Sequence, residues 1–159
     1  MTIIVRPVTE SDLPSLRELQ ARPELRLVDE HFIASQRGEL IFAVAVEADE
    51  PLGTALLDFS PGPLLPELRN MYVSPQRRRR GAGRALVSWL EQQARLNGHS
   101  AVHLAVDPNN ERAIPLYVSL DYLPTGDHLF VADAEVPQVA HGVERSKHYA
   151  IYKKSLTAY

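Results

Sequence analysis

The sequence predicts an α+β fold in which a central mixed sheet of about seven strands is flanked by about four helices. Three observations lead to this prediction. The length of 159 residues suits a single domain spanning 1–159. Hydrophobic residues make up 45% and charged residues 23% of the chain, as in globular proteins with a packed core. Short apolar or β-branched runs alternate with segments of helical periodicity, and the connections between them are short.

The composition excludes several classes of protein. The chain has no cysteine, which rules out thiolate metal sites, iron–sulfur clusters, disulfides and a cysteine nucleophile. With 17 basic and 20 acidic side chains the net charge is −3, which gives no general reason to expect nucleic acid as a partner. We find neither an apolar run of about 18 residues nor a secretory signal, so no membrane partner is expected. A cytoplasmic location is the default prediction.

The first elements are a short strand and two helices. Thr2–Arg6 is β-branched and predicts a strand. The next segment, Thr9–Gln20, opens with hydroxyl and acidic residues that suit a helix N-terminus, and Pro14 fits only in its first turn. Asp29–Arg37 predicts a second, shorter helix, with Gly38 placed where a left-handed cap belongs.

A hairpin and a further strand follow. Leu40–Glu47 and Gly53–Phe59 are apolar β runs, and Asp49–Leu52 between them has the composition of a turn. This pair is predicted to be antiparallel. Glu67–Val73 predicts the next strand, after a segment rich in proline and glycine.

The central strand continues into a helix and then a parallel strand. The helical pattern runs from Ala82 to Asn97 and is closed by Gly98, and Ala101–Val106 is the next strand. Strand, helix and strand with connections this short predict a crossover between two parallel neighbours. The sheet is therefore predicted to be mixed.

The last elements are a short helix and two strands. A helix is predicted to end near Leu120, and Pro115 within it indicates a kink or a late start. Asp127–Val131 and His148–Lys154 predict the closing strands, and the polar stretch Asp133–Lys147 between them predicts a loop.

The segment Arg78–Arg84 is the most informative part of the sequence. It lies between a predicted strand and a predicted helix, so Gly81 and Gly83 fall where unpaired helix N–H groups can meet a phosphate. The flanking arginines can add charge-assisted hydrogen bonds. The spacing matches neither a P-loop nor a dinucleotide-binding loop. The structural alternative is a tight turn with a solvated basic face.

Two motifs carry a resemblance to a known family. Arg78-x-x-Gly81-x-Gly83, preceded by Met71–Pro75, resembles the acyl-CoA signature of the GNAT acetyltransferase family. Asn110–Tyr117 is similar to the family's later N-x-x-A-x-x-L-Y segment and follows the next strand at a compatible distance. The order of elements fits the family over essentially the whole chain. The resemblance implies the GNAT-like acyl-CoA N-acyltransferase fold, with acetyl-CoA as cosubstrate.

The same resemblance implies which residues bind the cosubstrate. In the family, the backbone of the fourth strand binds the pantetheine arm where that strand diverges from the fifth. Together with the segment Arg78–Arg84 and the later motif, this predicts the following cofactor-binding residues: Met71, Tyr72, Val73, Arg78, Arg79, Arg80, Gly81, Ala82, Gly83, Arg84, Asn110, Ala113 and Tyr117.

The sequence departs from the family pattern in three places. Arg79 stands where the motif usually has glycine, and Asp121–Tyr122 stands where Gly-Phe usually follows the tyrosine helix. Pro115 interrupts that helix. None of these changes removes a reactive group, but the second leaves open how the tyrosine helix ends and docks.

Acetyl transfer from a thioester to an amine needs an oxyanion donor, an acid and a base. By resemblance, the Val73 N–H is the predicted oxyanion donor and Tyr117 the general acid that protonates the leaving thiolate. Glu67 resembles the position of a carboxylate base in some members, although water relays can replace a single base. The structural alternatives are a core aromatic for Tyr117 and a solvated strand end for Glu67.

The predicted function is an acetyl-CoA-dependent N-acetyltransferase that moves an acetyl group directly to a primary amine of a small molecule or peptide. One alternative is a catalytically silent acyl-CoA-binding sensor or docking module. Another is nucleic-acid binding through Arg77–Arg80, although aromatic residues for base stacking are missing there.

The acceptor and the oligomeric state are left open. Acidic residues in Asp133–Lys147 weakly favour a cationic acceptor, and either a monomer or a homodimer is compatible with the last strand. No metal is expected, because His99 and His103 fall on a predicted turn and strand rather than on one helix face.

Overall fold

A computed structural model describes residues 2–20, 23–78, 80–106, 113–130 and 148–156. Within these residues the chain forms a seven-stranded mixed sheet with four α-helices, as predicted. The strands are β1 (Ile4–Pro7), β2 (Leu40–Glu47), β3 (Glu50–Asp58), β4 (Glu67–Val73), β5 (Ala101–Val106), β6 (Leu123–Phe130) and β7 (His148–Ser155). The helices are α1 (Leu13–Leu19), α2 (Leu27–Gln36), α3 (Ala82–Leu96) and α4 (Ala113–Ser119).

The strands lie in the order β1-β2-β3-β4-β5-β7-β6. Neighbours are antiparallel except β4 and β5, which are parallel because α3 carries the chain back between them. Both the antiparallel β2–β3 hairpin and the parallel β4–β5 pair are therefore confirmed. Among the described helices, none combines the length and the apolar character that crossing a bilayer requires.

The turn of the β2–β3 hairpin lies earlier than the sequence predicted. Ala48 and Asp49 form it with φ of 50° and 64°, a two-residue geometry that matches the twist of the strands. The prediction of Asp49–Leu52 was wrong because it treated Pro51 as a turn residue. Pro51 instead lies in β3 opposite Val46, where the register shifts and a missing N–H is tolerated.

Other boundaries differ by a few residues. A 3-10 turn, Glu10–Asp12, precedes α1, and Pro14 lies in the first turn of α1 as predicted. Helix α2 begins two residues before the predicted Asp29. Strand β6 begins four residues before the predicted Asp127, because pairing with β7 extends to Leu123. The predicted loop at 133–147 and the predicted approach to α4 at 107–112 lie outside the described residues.

The sheet separates two apolar cores. Helices α1 and α2 cover one face with a cluster formed by Val8, Leu13, Leu16, Val28, Phe42, Val44, Val46 and Leu56. Helix α3 covers the other face. Its buried side chains recur every three or four residues, which is the spacing of one helical stripe: Ala82, Leu86, Val87, Leu90, Glu91 and Ala94.

Helix α4 ends in a left-handed residue that is not glycine. Asp121 has φ of 73°, and its N–H donates to the Val118 carbonyl at 3.1 Å. The Tyr122 N–H donates to the Tyr117 carbonyl at 3.0 Å. These two bonds form a Schellman cap, a geometry in which glycine is usual at the left-handed position. Asp121 therefore ends the helix at a conformational cost, and the cap directs Tyr122 into the core.

We expect Asp121→Gly to raise the free energy of unfolding by about 0.5 to 1 kcal/mol, because glycine adopts the left-handed conformation without strain. Chemical denaturation measures this change. The matched control is Gly38→Asp, since Gly38 has φ of 77° and open space where a Cβ would lie. That control should lower stability by a similar amount, and a loss of stability in Asp121→Gly would contradict the interpretation.

Candidate active site

Strands β4 and β5 pair at one end and diverge at the other. Along these two fully described strands the register consists of a single pair, Glu67 with His103. Beside that pair the His103 N–H donates to the Pro66 carbonyl at 3.1 Å. The rest of β4 has no ladder with β5, so the sheet opens into a gap that widens toward Val73.

A β-bulge lies in β4 next to this gap. The register with β3 shifts between the pairs Leu56–Arg69 and Thr54–Tyr72, so β4 holds one extra residue. Asn70 takes up the irregularity with φ of 54°. As a result Leu68 and Met71, three residues apart, both pack toward the α3 core.

The bulge sets which peptide groups face the gap. The Ser74 N–H donates to the Leu52 carbonyl at 2.9 Å, on the β3 side. Because peptide groups alternate along a strand, the N–H and carbonyl groups of Val73 and Met71 point the other way, into the gap. In agreement, Arg78 Nε donates to the Val73 carbonyl at 3.3 Å. The Tyr72 carbonyl faces β3, where a Cβ on Gly53 would approach it to 2.5 Å.

The N-terminus of α3 lies beside the same gap. Gly81 precedes the helix with φ of 90°, and no side chain caps the helix. The N–H groups of Ala82, Gly83 and Arg84 therefore lack intrahelical partners. A Cβ on Gly83 would lie 3.4 Å from Leu116 and 3.7 Å from the Met71 sulfur. The N-terminus of α3 is therefore close to both β4 and α4.

The arginine-rich segment Arg77–Arg84, which we call the basic loop, forms ion pairs and hydrogen bonds with acidic and polar groups. Arg77 pairs with Glu50, and Arg80 Nη1 lies 3.2 Å from Glu47 Oε1 at the tip of the β2–β3 hairpin. Further along, Arg84 Nη2 donates to the Ser119 hydroxyl at 2.9 Å and ties α3 to α4. The predicted ligands Arg79 and Asn110 lie outside the described residues. Ala113, another predicted ligand, is the first residue of α4.

Tyr117 is mostly buried on the α3 side of the sheet. Its ring packs against the main core and meets the Tyr122 ring at 6.0 Å between centroids, with an interplanar angle of 70°. Burial disfavours the phenolate and raises the pKa of Tyr117 to about 12. Tyr117 is therefore a neutral phenol at physiological pH, which can donate a proton.

Glu67 lies on the opposite face of the sheet, with α2. It is opposite Asp58 in the β3–β4 ladder, and Arg69 Nη1 donates to Asp58 Oδ2 at 2.8 Å. His31 of α2 stacks edge-on against Phe42 at 5.6 Å. Glu67, Arg69, Asp58 and His31 form one group on this face. Sequence analysis missed this group, because its four side chains come from three separate elements, β4, β3 and α2.

The electrostatics of this face favour a proton acceptor at Glu67. Burial raises the pKa of Glu67, the positive charge of Arg69 opposes that rise, and the Asp58 carboxylate adds to it. Burial and the Arg69 charge lower the pKa of His31 to about 4, so this imidazole is neutral at physiological pH. Glu67 is thus a carboxylate whose proton affinity exceeds that of an exposed glutamate.

The structure brings some predicted residues together and separates others. Met71, Val73, Gly83 and the tyrosine helix converge on one side of the gap. Glu67 is six residues from Val73 along β4, about 20 Å at the usual rise, and about 13 Å from Met71. The Met71 N–H is therefore a second donor candidate, nearer to the carboxylate than the predicted Val73.

A mixed sheet that opens between two parallel strands, beside an uncapped helix N-terminus, defines the acyl-CoA N-acyltransferase fold. Comparison with known proteins agrees. A model of the acetyltransferase (GNAT) family matches residues 6–122. The chain belongs to this family, and the resemblance seen in the sequence is confirmed.

Individual relatives support the same assignment. An acetyltransferase of Pectobacterium atrosepticum is 29% identical over 119 residues, which are 75% of this chain and 72% of that protein. An N-acetyltransferase of Staphylococcus aureus Mu50 aligns with a TM-score of 0.72 and 21% identity, over 98% of this chain and 99% of that one. The PaiA N-acetyltransferase of Thermoplasma acidophilum, solved with coenzyme A, aligns with a TM-score of 0.71 and 15% identity over the same shares. These two structures share the fold.

We expect the phenol of Tyr117 to ionise about two pH units later than that of an exposed tyrosine, because its surroundings are apolar. NMR of protein labelled with ¹³C at the tyrosine ring carbon that bears the hydroxyl measures this pKa. Tyr117→Phe assigns the signal by removing it. Ionisation near pH 10 would show that Tyr117 is exposed and would contradict the packing described above.

Proposed function

We propose that the protein is an acetyl-CoA-dependent N-acetyltransferase that acts on a primary amine of a small molecule or peptide. The observation that carries the proposal is the gap between β4 and β5. Peptide groups of β4 line this gap, a phenol lies on the face with α3 and α4, and a partly buried carboxylate lies on the other face. Such a gap lets a thioester and an amine meet from opposite sides of the sheet.

The residues around the gap suit acetyl-CoA. The uncapped N-terminus of α3 supplies N–H groups and a positive helix dipole for the pyrophosphate, with Arg78 just before it in the chain and Arg84 in its first turn. The gap-facing peptide groups of Met71 and Val73 suit the amides of the pantetheine arm. When bound, acetyl-CoA supplies an activated carbonyl and a thiolate leaving group. Relatives with coenzyme A bound support this assignment.

The chain's own groups account for the polar requirements of the transfer. One gap-facing N–H of β4, that of Val73 or that of Met71, donates toward the carbonyl oxygen and stabilises the negative charge that develops there. Glu67 accepts, through ordered water that spans its distance from the reacting carbonyl, the proton that the ammonium must lose, and Tyr117 donates its proton to the leaving sulfur. We propose direct transfer in a ternary complex, because the chain offers no cysteine to carry the acetyl group.

Thiol release from acetyl-CoA across a panel of small amines and peptide N-termini tests the proposal. We expect release that depends on one class of amine, and Tyr117→Phe should lower kcat by about 10²-fold or more while acetyl-CoA affinity changes little. The protein adds no background to a thiol reagent, since it has no cysteine.

Three other outcomes would contradict the proposal in different ways. Binding of acetyl-CoA without amine-dependent release would favour an acyl-CoA sensor. Absence of both binding and release would overturn the cosubstrate assignment. Full activity in Tyr117→Phe would show that the protein is an acetyltransferase in which another group protonates the leaving sulfur.

The pH profile of kcat/KM tests Glu67 separately. Only the carboxylate form accepts a proton, so activity should fall as the pH drops through the raised pKa of Glu67. In Glu67→Gln we expect a loss of about 10²-fold or more at pH 7, and the rate should then rise with pH up to the amine's own pKa near 10. An unchanged profile would show that water or another group removes the proton.

A further inference from the structure

A polar cluster is buried directly behind Tyr117. The Tyr122 hydroxyl donates to Glu91 Oε2 at 2.8 Å, and Lys154 Nζ donates to Glu91 Oε1 at 3.0 Å. Tyr122 is fully buried and the Glu91 side chain is 8% exposed. We call these three residues the Tyr122 network; they come from the end of α4, from α3 and from β7.

The location of the network is unexpected on energetic grounds. It interrupts the apolar stripe of α3, where Leu90 and Ala94 on either side of Glu91 are fully buried. Taking a carboxylate and an ammonium out of water costs free energy that their attraction only partly returns. Apolar residues of similar size would pack at this point without that cost. What the network supplies in this position is geometry, because its two hydrogen bonds hold three side chains in one defined arrangement.

The network fixes the ring of Tyr122 at both ends. At the backbone, the Tyr122 N–H donates to the Tyr117 carbonyl at 3.0 Å. At the far end the hydroxyl is held by Glu91, and Lys154 Nζ lies 5.8 Å from the ring centroid. A phenylalanine at this position would have a ring of the same size but would lose the hydrogen bond that sets the position of that ring.

Tyr117 depends on this ring for its orientation. Helix α4 is seven residues long, and none of its described side chains is fully buried. A helix this short is held by tertiary contacts and not by its own stability. Besides its packing against the main core, two contacts help to align Tyr117: the edge-on packing against Tyr122 and the Arg84–Ser119 hydrogen bond that ties α4 to α3.

We propose that the Tyr122 network is a positioning device for the proposed acid Tyr117: the Tyr122–Glu91 hydrogen bond holds the ring that aligns the Tyr117 phenol toward the gap. The inference rests on the proposed function for the catalytic consequence alone. Tyr122 is a positioning residue, and the pair with Lys154 holds the accepting Glu91 carboxylate in place.

Tyr122→Phe in the full-length chain is the central test. We expect kcat to fall about tenfold while the KM for acetyl-CoA stays within twofold, because a small misplacement of an acid lowers only the chemical step. In a Tyr117→Phe background the same substitution should have no further effect on kcat. An equal loss of kcat in both backgrounds would overturn the proposal.

Variants of Glu91 separate the hydrogen bond from the ion pair. Glu91→Gln keeps an acceptor for the Tyr122 hydroxyl and breaks the pair with Lys154, so it should retain kcat better than Glu91→Leu, which removes both. Asp12→Asn is the control for stability, since it breaks the Arg6–Asp12 pair at 2.7 Å beside α1. This control should lower stability and leave kcat unchanged. A kcat that follows stability across all variants would overturn the proposal.

A readout without substrate keeps this inference distinct from the proposed function. With ¹³C-labelled tyrosine, Tyr122→Phe should lower the pKa of Tyr117 from about 12 toward 10. Once the neighbouring ring has lost the hydrogen bond that anchors it, water reaches the Tyr117 phenol. An unchanged pKa of Tyr117 would overturn the positioning role even in an active enzyme. A lowered pKa in a protein that acetylates no amine would support the positioning role and contradict the proposed function.

Discussion

The divergence of β4 from β5 is the constraint on which the rest of the site depends. A parallel pair that continued along both strands would use the peptide groups of Met71 and Val73 in the ladder. Because pairing stops at Glu67 and His103, those groups stay out of the ladder and face the gap, where the Val73 carbonyl accepts from Arg78 Nε. The left-handed Asn70 bulge then turns the Met71 side chain toward α3 and its peptide groups into the gap. A short irregularity in one strand thus brings unpaired peptide groups to the gap where we propose that acetyl-CoA binds.

The sheet also separates the two proton-active groups. Tyr117 lies with α3 and α4 on one face, and Glu67 lies with α2 on the other. Burial raises the pKa of both, but with opposite consequences: the phenol is kept as a donor, and the carboxylate becomes a better acceptor. Burial therefore suits the proposed acid on one face of the sheet and the proposed base on the other.

Ion pairs and caps link the site to the rest of the fold. The basic loop is tied to the β2–β3 hairpin by pairs with Glu47 and Glu50, and α4 is tied to α3 through Arg84 and Ser119. The strained cap at Asp121 directs Tyr122 into the core, where the Tyr122 network joins α3 and β7. With Asp121–Tyr122 in place of Gly-Phe, the tyrosine helix ends at the expected place with a strained cap, and a buried hydrogen bond follows it.

The amino-acid sequence by itself determined the mixed seven-stranded sheet, the helix after the basic loop, the parallel β4–β5 pair and the family. These features are encoded in short windows, because periodicity, turn residues and helix termini depend on near neighbours in the chain. Only the tertiary structure decided where the ladder opens, that Asn70 forms a bulge, and that Glu91 and Lys154 meet Tyr122. These outcomes depend on contacts between segments as far apart as Glu91 and Lys154, and no local pattern encodes which buried groups such contacts bring together.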